Sequence, residues 1–303
     1  MTSANTSTDI AIIGMGNMGS ALAEALLTGG YKVAVWSRTQ SRCVPLAERG
    51  ARVCERASEA AASAGVVVVC LTDHAASLAV LREPDTARAL ADKLLVQVST
   101  MTAAESEELG HWAHANDICY LDGSILAYPD GVRNGTATIV YSGPKRCFDE
   151  HETMLAAMSG KAEFVSETIG GAPTFDKTIY AFHYGSMLAF FHGAAMCHAA
   201  GFPIGVYVDE VLGADKATTL HYCECMTARR YDDPTCTIEL HATAYAHVLA
   251  LTESLGVDCA LPRLVTGTSE RALAEGHGEH ELAAVFETLL NGPQEGFKDA
   301  MRA

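Results

Sequence analysis

The chain has 303 residues, 49% of which are hydrophobic, and its formal net charge is −16 at pH 7. The length is sufficient for two domains, and the composition is that of a folded globular protein rather than a disordered one. The strong negative charge argues against nucleic acid and anionic membranes as partners.

The ten cysteines are scattered through apolar runs such as VVVVCLTD, residues 66–73. The opening MTSANTSTDI lacks the basic region and apolar core of a secretory signal, so we expect a cytoplasmic protein with reduced, mostly buried thiols. The C-x-C spacing in HYCECM, residues 221–226, is not that of a structural zinc knuckle. No metal site is therefore predicted.

The longest apolar run, residues 179–202, contains His183, His192 and His198. Three histidines make this run a poor membrane span, because ionisable groups are costly in a bilayer. A helix that is apolar nearly all round is more often the buried centre of an assembly. We expect that role here and no membrane partner.

The first half of the chain alternates short apolar strands with helical stretches, which is typical of a doubly wound α/β domain. The first helix is predicted at 18–27, and the domain is predicted to cover residues 1–168. The strand signals are DIAIIG (9–14), KVAVWS (32–37), ARVC (51–54), VVVVCL (66–71), LLVQVS (94–99), CYLDGSIL (119–126) and ATIVYSG (137–143).

The second half shows no strand pattern and is predicted to be all helical. A long interdomain helix is expected within residues 169–202, with its helical pattern at 173–201, and a helical domain at 203–303. Further helices of this half are predicted at 204–212, 216–228 and 235–255.

The glycine-rich stretch GMGNMG follows the first strand and opens the first helix. Its first glycine permits a tight turn, the second lets a pyrophosphate approach the backbone, and the third lets helix and strand pack closely. The helix N-terminus adds free amides for phosphate. We therefore predict a dinucleotide-binding Rossmann domain with the cofactor-binding residues Gly14, Gly16, Asn17, Met18 and Gly19, joined by Leu71 and Thr72 at a later strand end.

The second strand ends in VWSRTQSR, where an NAD-binding site usually has an acid. Ser37, Arg38 and Thr39 stand there instead, with Arg42 one turn later. Guanidinium groups and hydroxyls suit a ribose 2′-phosphate, because arginine binds phosphate through two parallel hydrogen bonds. NADPH is therefore the predicted cofactor.

Several stretches carry a resemblance to known enzymes. GMGNMG with WSRT and a helical second half resembles the 6-phosphogluconate and β-hydroxyacid dehydrogenase superfamily. YLDGSILAYPDGVRNGTATIVYSG (120–143) and RALAEGHGEHELAAVFETL (271–289) look like segments of imine reductases and reductive aminases. The resemblance implies NADPH-dependent reduction of C=N bonds by a homodimer whose subunits exchange their C-terminal halves.

The segment APTFDKTIYAFHYG, residues 172–185, places ionisable groups on one helical face. In imine reductases an acid or tyrosine at the start of this helix faces the nicotinamide, and Asp176 matches that position. Reductive aminases are similar and add a tyrosine two turns on, where Tyr184 stands. The resemblance thus implies Asp176 and Tyr184 as catalytic residues.

Lys177 offers a competing interpretation, because β-hydroxyacid dehydrogenases carry a catalytic lysine near the start of this helix. One residue of slip rotates a side chain by about 100°, so only one of Asp176 and Lys177 can face the cofactor. The asparagine that follows the lysine in those dehydrogenases has no counterpart on this face.

The chemistry distinguishes the two candidates. Reducing a C=N bond needs hydride at carbon and an iminium proton at nitrogen. Asp176 can stabilise the cation or deliver the proton, whereas Lys177 would repel it and suit a developing alkoxide. The substrate is expected to be an imine, or an amine with a ketone. A β-hydroxyacid-type dehydrogenase using Lys177 and a non-catalytic NADP-binding sensor are the alternatives.

Seven further residues are considered for the site or for the structure around it. Tyr180 and His183 lie near the Asp176 face, and Tyr180 is a tentative pocket residue. His241, in IELHATAY, falls where relatives place a pocket residue, with a second wall expected from the partner subunit. Ser99 and Thr100 stand where imine reductases carry another turn. His277 and His280 are expected to be structural residues of the GHG turn.

Overall fold

The computed structural model describes residues 8–212 and 216–291. The chain forms two units, Met1–Ala181 and Phe182–Ala303, and the division lies within a long helix. The ends of the first and last predicted domains, residues 1–7 and 292–303, lie outside the described residues. The domain bounds expected from the sequence remain predictions.

The first unit is built on one eight-stranded sheet in the order β3-β2-β1-β4-β5-β6-β7-β8. Its strand pairs are parallel except for β6 and β7, which run antiparallel. The strands are β1 (Ile10–Ile13), β2 (Val33–Trp36), β3 (Arg52–Val53), β4 (Val66–Val69), β5 (Leu94–Gln97), β6 (Cys119–Ile125), β7 (Ala137–Ser142) and β8 (Gly160–Ser166).

Helices lie between these strands along the chain, because parallel neighbours must be joined by a crossover connection. They are α1 (Asn17–Thr28), α2 (Val44–Glu48), α3 (Ala57–Ser63), α4 (His74–Leu81), α5 (Pro84–Leu90), α6 (Ala103–His114), α7 (Pro129–Arg133), α8 (Lys145–Asp149) and α9 (Glu152–Ala157), with a 3-10 helix at Gln40–Cys43.

Both faces of the sheet are covered. Along β1, Ile10 and Ile12 belong to one apolar cluster, whereas Ala11 and Ile13 belong to the other. Successive strand side chains point to opposite faces, so a strand buried on both faces reads as a continuous apolar run. This explains why IAII and VVVV are hydrophobic without alternation.

Strand β8 is absent from the sequence-based expectation, which ended the sheet with ATIVYSG. Its sequence GKAEFVS carries Lys161 and Glu163, and none of its residues is fully buried. It is the outer strand next to β7, where charged side chains are common because they discourage pairing with other chains. The local pattern was therefore too polar to indicate a strand.

The second unit is helical, and α10 contributes the part that begins at Phe182. Its small apolar core contains Tyr231, Ile238, Ala272, Ala283 and Ala284. The helices of this half are α10 (Gly171–Ala199), α11 (Ile204–Leu212), α12 (Lys216–Ala228), α13 (Ile238–Ser254), α14 (Ala260–Ala274) and α15 (Val285–Leu290), with a 3-10 helix at Leu282–Ala284.

The cysteines correct one expectation. Cys119 on β6 and Cys147 on α8 form a disulfide, so the prediction of reduced thiols is wrong for this pair. The two residues are 28 positions apart, and the packing of α8 beside β6 brings them together. Cys43 and Cys54 are buried and free, Cys223 is exposed, and the other five free cysteines are partly buried.

Two further features of the described residues concern metals and membranes. Residues 8–212 and 216–291 contain no group of three or more His, Cys, Asp or Glu side chains arranged to hold a metal ion. Within the same ranges, no helix combines the length and the apolar character needed to cross a bilayer.

Candidate active site

The strand order reverses direction at β1 and β4, which lie side by side although they are not consecutive. Loops that leave such neighbouring strands on opposite sides open a crevice at the strands' carboxyl ends, where doubly wound folds bind ligands. A cavity of about 430 Å³ lies here, between the ends of β1, β2 and β4.

The glycines of the first turn are shaped for close approach. Gly14 has φ +108°, and a Cβ on it would lie 2.2 Å from the carbonyl oxygen of Cys70. A Cβ on Gly19 would lie 1.9 Å from the Gly14 carbonyl oxygen, whereas one on Gly16 would meet nothing within 4 Å. Gly14 and Gly19 are thus required for packing, and Gly16 leaves open space for a pyrophosphate.

Helix α1 presents its amino end to this cavity. Gly16 is the N-cap residue and contributes no side-chain cap, so the first amides of the helix remain available to an anion. The cavity wall contains each cofactor-binding residue predicted from the sequence: Gly14, Gly16, Asn17, Met18, Gly19, Ser37, Arg38, Thr39, Arg42, Leu71 and Thr72.

The sequence reasoning missed part of this wall. Ala76, Ala79 and Val80 line it from α4, and Trp36 lines it from the end of β2. The three α4 residues recur at three- and four-residue spacing after LTD, which is the signature of one helical face. This periodicity, directly after the end of a strand, is the sequence signal that could have indicated α4 as part of the cavity wall.

Arg38 and Arg42 place positive charge at the outer end of the cavity. Both side chains are exposed, and neither forms an ion pair within the part of the chain that the structure describes. Ser37 is buried, and its Oγ accepts a hydrogen bond of 3.3 Å from the Thr39 amide. The turn therefore offers guanidinium groups and no carboxylate where a ribose would lie.

A second cavity, of about 190 Å³, adjoins the first. Met18, Cys70 and Leu71 line both cavities, so the two cavities are neighbours just beyond the end of β4. The polar residues of the second cavity are Ser99, Thr100, Ser124, Asp176 and Tyr180.

Asp176 is the carboxylate of this second cavity. The residue is 5% exposed, and its Oδ2 accepts a hydrogen bond of 2.6 Å from Lys177 Nζ. Its Oδ1 is buried and has no hydrogen-bond partner among the described residues. Because an unsatisfied buried acceptor is costly, this oxygen is suited to a donor or cation brought by a ligand.

The start of α10 is anchored to the sheet, which fixes the position of Asp176. The Gly170 amide donates to Asp122 Oδ2 at 2.5 Å, and the Ala172 amide donates to Ser142 Oγ at 2.8 Å. Burial raises the pKa of Asp122, although hydrogen bonds from Tyr120 and Gly170 oppose the shift. These contacts replace intrahelical partners that the first helical amides lack.

Ser99 is held within the wall of the second cavity. Its Oγ accepts from the Leu71 amide at 2.8 Å and donates to Gln97 Oε1 at 3.2 Å. The Ser-Thr turn that departs from the imine reductase pattern thus ties the end of β5 to the end of β4. Thr100 is exposed beside it.

Two regions of the chain match family models. Residues 9–170 match the NAD binding domain of 6-phosphogluconate dehydrogenase, and residues 169–291 match the C-terminal domain of NADPH-dependent reductive aminase-like proteins. The chain belongs to the 6-phosphogluconate dehydrogenase family by its NAD binding domain, and its C-terminal domain is similar to that of reductive aminases. Both the predicted family and the predicted fold, a Rossmann domain followed by a long helix and a helical domain, are confirmed.

Relatives of this family match along nearly the whole chain. The NADPH-dependent reductive aminase of Aspergillus oryzae is 25% identical, over 93% of this chain and 97% of its own length. The imine reductase of Myxococcus stipitatus in complex with NADP+ has a TM-score of 0.84 and 28% identity, covering 93% of this chain and 99% of its own. The reductive aminase of Aspergillus terreus in complex with NADPH and ethyl-5-oxohexanoate has a TM-score of 0.82 and 26% identity at the same coverage.

The geometry bears on the choice between Asp176 and Lys177. Asp176 lines the second cavity, whereas the Lys177 side chain is 47% exposed and does not line it. A catalytic role for Lys177, as in a β-hydroxyacid-type dehydrogenase, is therefore not favoured. A non-catalytic sensor is not favoured either, because it has no need of a buried carboxylate beside the dinucleotide cavity.

The other predicted residues are distributed over the two units. Tyr180 belongs to the first unit and lines the second cavity. Tyr184 belongs to the second unit, is 67% exposed and contacts the His183 ring edge-on. His241 lies on α13, and its buried Nε2 has no partner in the described part of the chain. His277 and His280 bring their Nδ1 atoms within 3.0 Å in the GHG turn.

Proposed function

We propose that this chain reduces C=N bonds with NADPH and that Asp176 is its catalytic acidic residue. The observation that carries the proposal is a buried carboxylate with one unpartnered oxygen, in a cavity that shares three wall residues with the dinucleotide cavity. A buried anion at this place matches the positive charge that the nitrogen of a C=N bond carries during reduction.

The residues of the first cavity fit NADPH. Gly16 leaves space for the pyrophosphate, and Arg38 and Arg42 suit the 2′-phosphate. When bound, the reduced nicotinamide supplies the hydride. The chain contributes the amides at the start of α1, the guanidinium groups and the walls that orient the cofactor towards the second cavity.

The second cavity supplies the environment for the substrate. Met101, Ile125 and Ala127 are among its apolar residues, and Asp176 and Tyr180 are among its polar ones. Burial strengthens the interaction of Asp176 with a substrate cation, because the local dielectric is low. Asp176 orients the nitrogen, and the apolar wall keeps water from the reacting carbon.

The substrate is proposed to be a small imine, or an amine together with a ketone. Structures of the Aspergillus terreus reductive aminase contain NADPH with ethyl-5-oxohexanoate, or NADPH4 with cyclohexanone and allyl amine. The cavity of about 190 Å³ lined from the first unit suits molecules of modest size.

The active form is proposed to be a homodimer with exchanged C-terminal halves. Phe182, Leu188 and Phe191 on α10 are 73%, 57% and 61% exposed in the single chain. Large apolar side chains that are exposed on one helix in this way are commonly covered by a partner. In this arrangement Tyr184 and His241 are proposed to line the substrate pocket. The cytoplasmic location stays a prediction.

The test follows NADPH absorbance with 1-pyrroline or a dihydroisoquinoline. Wild type is expected to consume NADPH, and Asp176→Asn is expected to lower kcat/KM by about 100-fold or more, because it removes charge but keeps size. Glu163→Gln, on the exposed edge strand, is the matched control and should retain wild-type activity. An Asp176→Asn variant with normal kcat/KM would contradict the role of Asp176.

Two further readouts separate the alternatives. Oxidation of 3-hydroxyisobutyrate with NADP+, abolished by Lys177→Ala, would support the dehydrogenase. NADPH binding without turnover of any imine or hydroxyacid would support the sensor.

A further inference from the structure

A second cluster of titratable side chains lies in the helical unit, in the HYCECM stretch for which no metal site is predicted. His221 and Cys225 are four residues apart on α12, a spacing that places them on one helical face. Together with Arg230 they line a cavity of about 300 Å³. Cys225 is partly buried, whereas Cys223 is exposed and is not among the residues that line this cavity.

Glu281 determines which atom of His221 carries the proton. The Glu281 side chain is 1% exposed, and its Oε2 lies 3.1 Å from His221 Nε2. Because the pKa of Glu281 is lowered to about 2, its carboxylate only accepts hydrogen bonds, so His221 Nε2 must donate. The same nitrogen lies 3.7 Å from Cys225 Sγ. An imidazole N–H group is therefore held beside the Cys225 sulfur.

This neighbour distinguishes Cys225 from the cysteine two positions before it. An N–H donor beside a sulfur favours the thiolate, which is the form that attacks a disulfide bond. Cys223 lies about 200° further round the helix, away from the His221 face. We therefore expect Cys225 to be the more reactive of the two cysteines, although it is the less exposed.

The charge of the cavity wall indicates which disulfide it suits. Glu224, Asp232 and Asp233 line the cavity with carboxylates, and Arg230 lines it with a guanidinium group. A cleft with an excess of one sign of charge attracts ligands of the opposite sign. The cavity is therefore suited to a small disulfide that carries amino groups.

We propose that Cys225 is a site of thiol–disulfide exchange with small amino disulfides, and that His221 is the positioning residue that favours its thiolate. The Cys225 sulfur attacks one sulfur of the ligand, a new S–S bond forms, and the S–S bond of the ligand breaks. The departing aminothiol takes up the proton that Cys225 has lost. Cys225 is oxidised to a mixed disulfide, and the other half of the ligand is reduced to a thiol. The proposal does not depend on the reduction of C=N bonds.

The test measures the two cysteines against each other in the full-length protein. The protein is exposed briefly to cystamine with EDTA present, quenched with acid and digested, and the rates at Cys225 and Cys223 are obtained by mass spectrometry. Their ratio cancels the intrinsic reactivity of the reagent. Cystamine, a dication, should modify Cys225 about tenfold or more faster than Cys223. With glutathione disulfide, which has a net negative charge, this ratio should be about tenfold lower.

Variants separate the effect of the imidazole from that of the charge. His221→Gln should lower the Cys225 rate by about tenfold or more and leave the Cys223 rate unchanged. His111→Gln, at an exposed position of α6 in the first unit, is the matched control and should change neither rate. Asp233→Asn should reduce the preference for cystamine over glutathione disulfide. About 0.5 M salt should reduce it too, because salt screens exposed charges.

Three results overturn the proposal. The first is a wild type in which cystamine modifies Cys223 faster than Cys225, and the second is an unchanged Cys225 rate in folded His221→Gln. The third is an equal ratio of the two rates with cystamine and with glutathione disulfide, which would reject the amino disulfide as the ligand class. The wild-type comparisons decide the proposal even if His221→Gln fails to fold.

Discussion

Glu281 is expected to make a strong electrostatic contribution to the stability of the second unit. The side chain is 1% exposed. Its Oε2 accepts from the Thr235 amide and hydroxyl, each at 2.7 Å, and lies 3.1 Å from His221 Nε2, while Oε1 accepts from the Leu282 amide at 2.8 Å. Burial alone raises the pKa of Glu281, but these hydrogen bonds outweigh it and lower the pKa to about 2.

The pKa sets the magnitude and the direction of the effect. The shift from the ordinary value of 4.5 to about 2 corresponds to about 3 kcal/mol of stability at pH 7. Because the folded pKa is lowered, the contribution is present above pH 4.5 and is lost as the pH falls towards 2. It amounts to about 1 kcal/mol at pH 3.

The assay is urea unfolding of wild type and Glu281→Gln, followed by circular dichroism at one fixed protein concentration. The difference in free energy of unfolding should be about 3 kcal/mol at pH 7 and should shrink by about 2 kcal/mol at pH 3. Glu279→Gln is the matched control, since Glu279 is an exposed acid in the same turn. A difference independent of pH, or below about 1 kcal/mol at pH 7, would refute the reasoning.

Two other predictions concern the cofactor and the assembly. Arg38→Ala should raise KM for NADPH by about tenfold or more and leave KM for NADH nearly unchanged, because it removes a charge-assisted bond to the 2′-phosphate. Arg49→Ala, outside the cavity, is the control. If Arg38→Ala raised KM equally for both cofactors, Arg38 would not be a ligand of the 2′-phosphate. Light scattering of the wild type should give a molar mass of twice the chain mass. Phe191→Lys should lower this measured mass towards that of a single chain. A wild type that is monomeric and active would exclude the exchanged dimer.

The elements of this fold were largely predictable because their signals are local. The helix Ile204–Leu212 and the helix Lys216–Ala228 begin and end where the sequence pattern placed them. The GMGNMG turn was equally clear, since it lies between a strand and a helix that are themselves strongly marked. The family resemblance implied a catalytic role for Asp176, which lies in a cavity beside the predicted cofactor residues.

What remained hidden depends on contacts between distant segments. Strand β8 is recognised as a strand through its pairing with β7, and its polar sequence reflects its place at the edge. The disulfide between Cys119 and Cys147 likewise depends on how α8 packs beside β6. No periodicity within either segment reports such a neighbour.

The candidate active site shows most clearly the difference between what the sequence determines locally and what depends on contacts between distant segments. The sequence by itself determined which residues compete for the catalytic position, since Asp176 and Lys177 are adjacent in the chain. The tertiary structure decided their arrangement: Asp122 and Ser142 anchor the start of α10, which buries Asp176 and leaves Lys177 partly exposed above it. The physical reason is that burial and hydrogen bonding, which determine how a carboxylate behaves, come from residues far away along the chain.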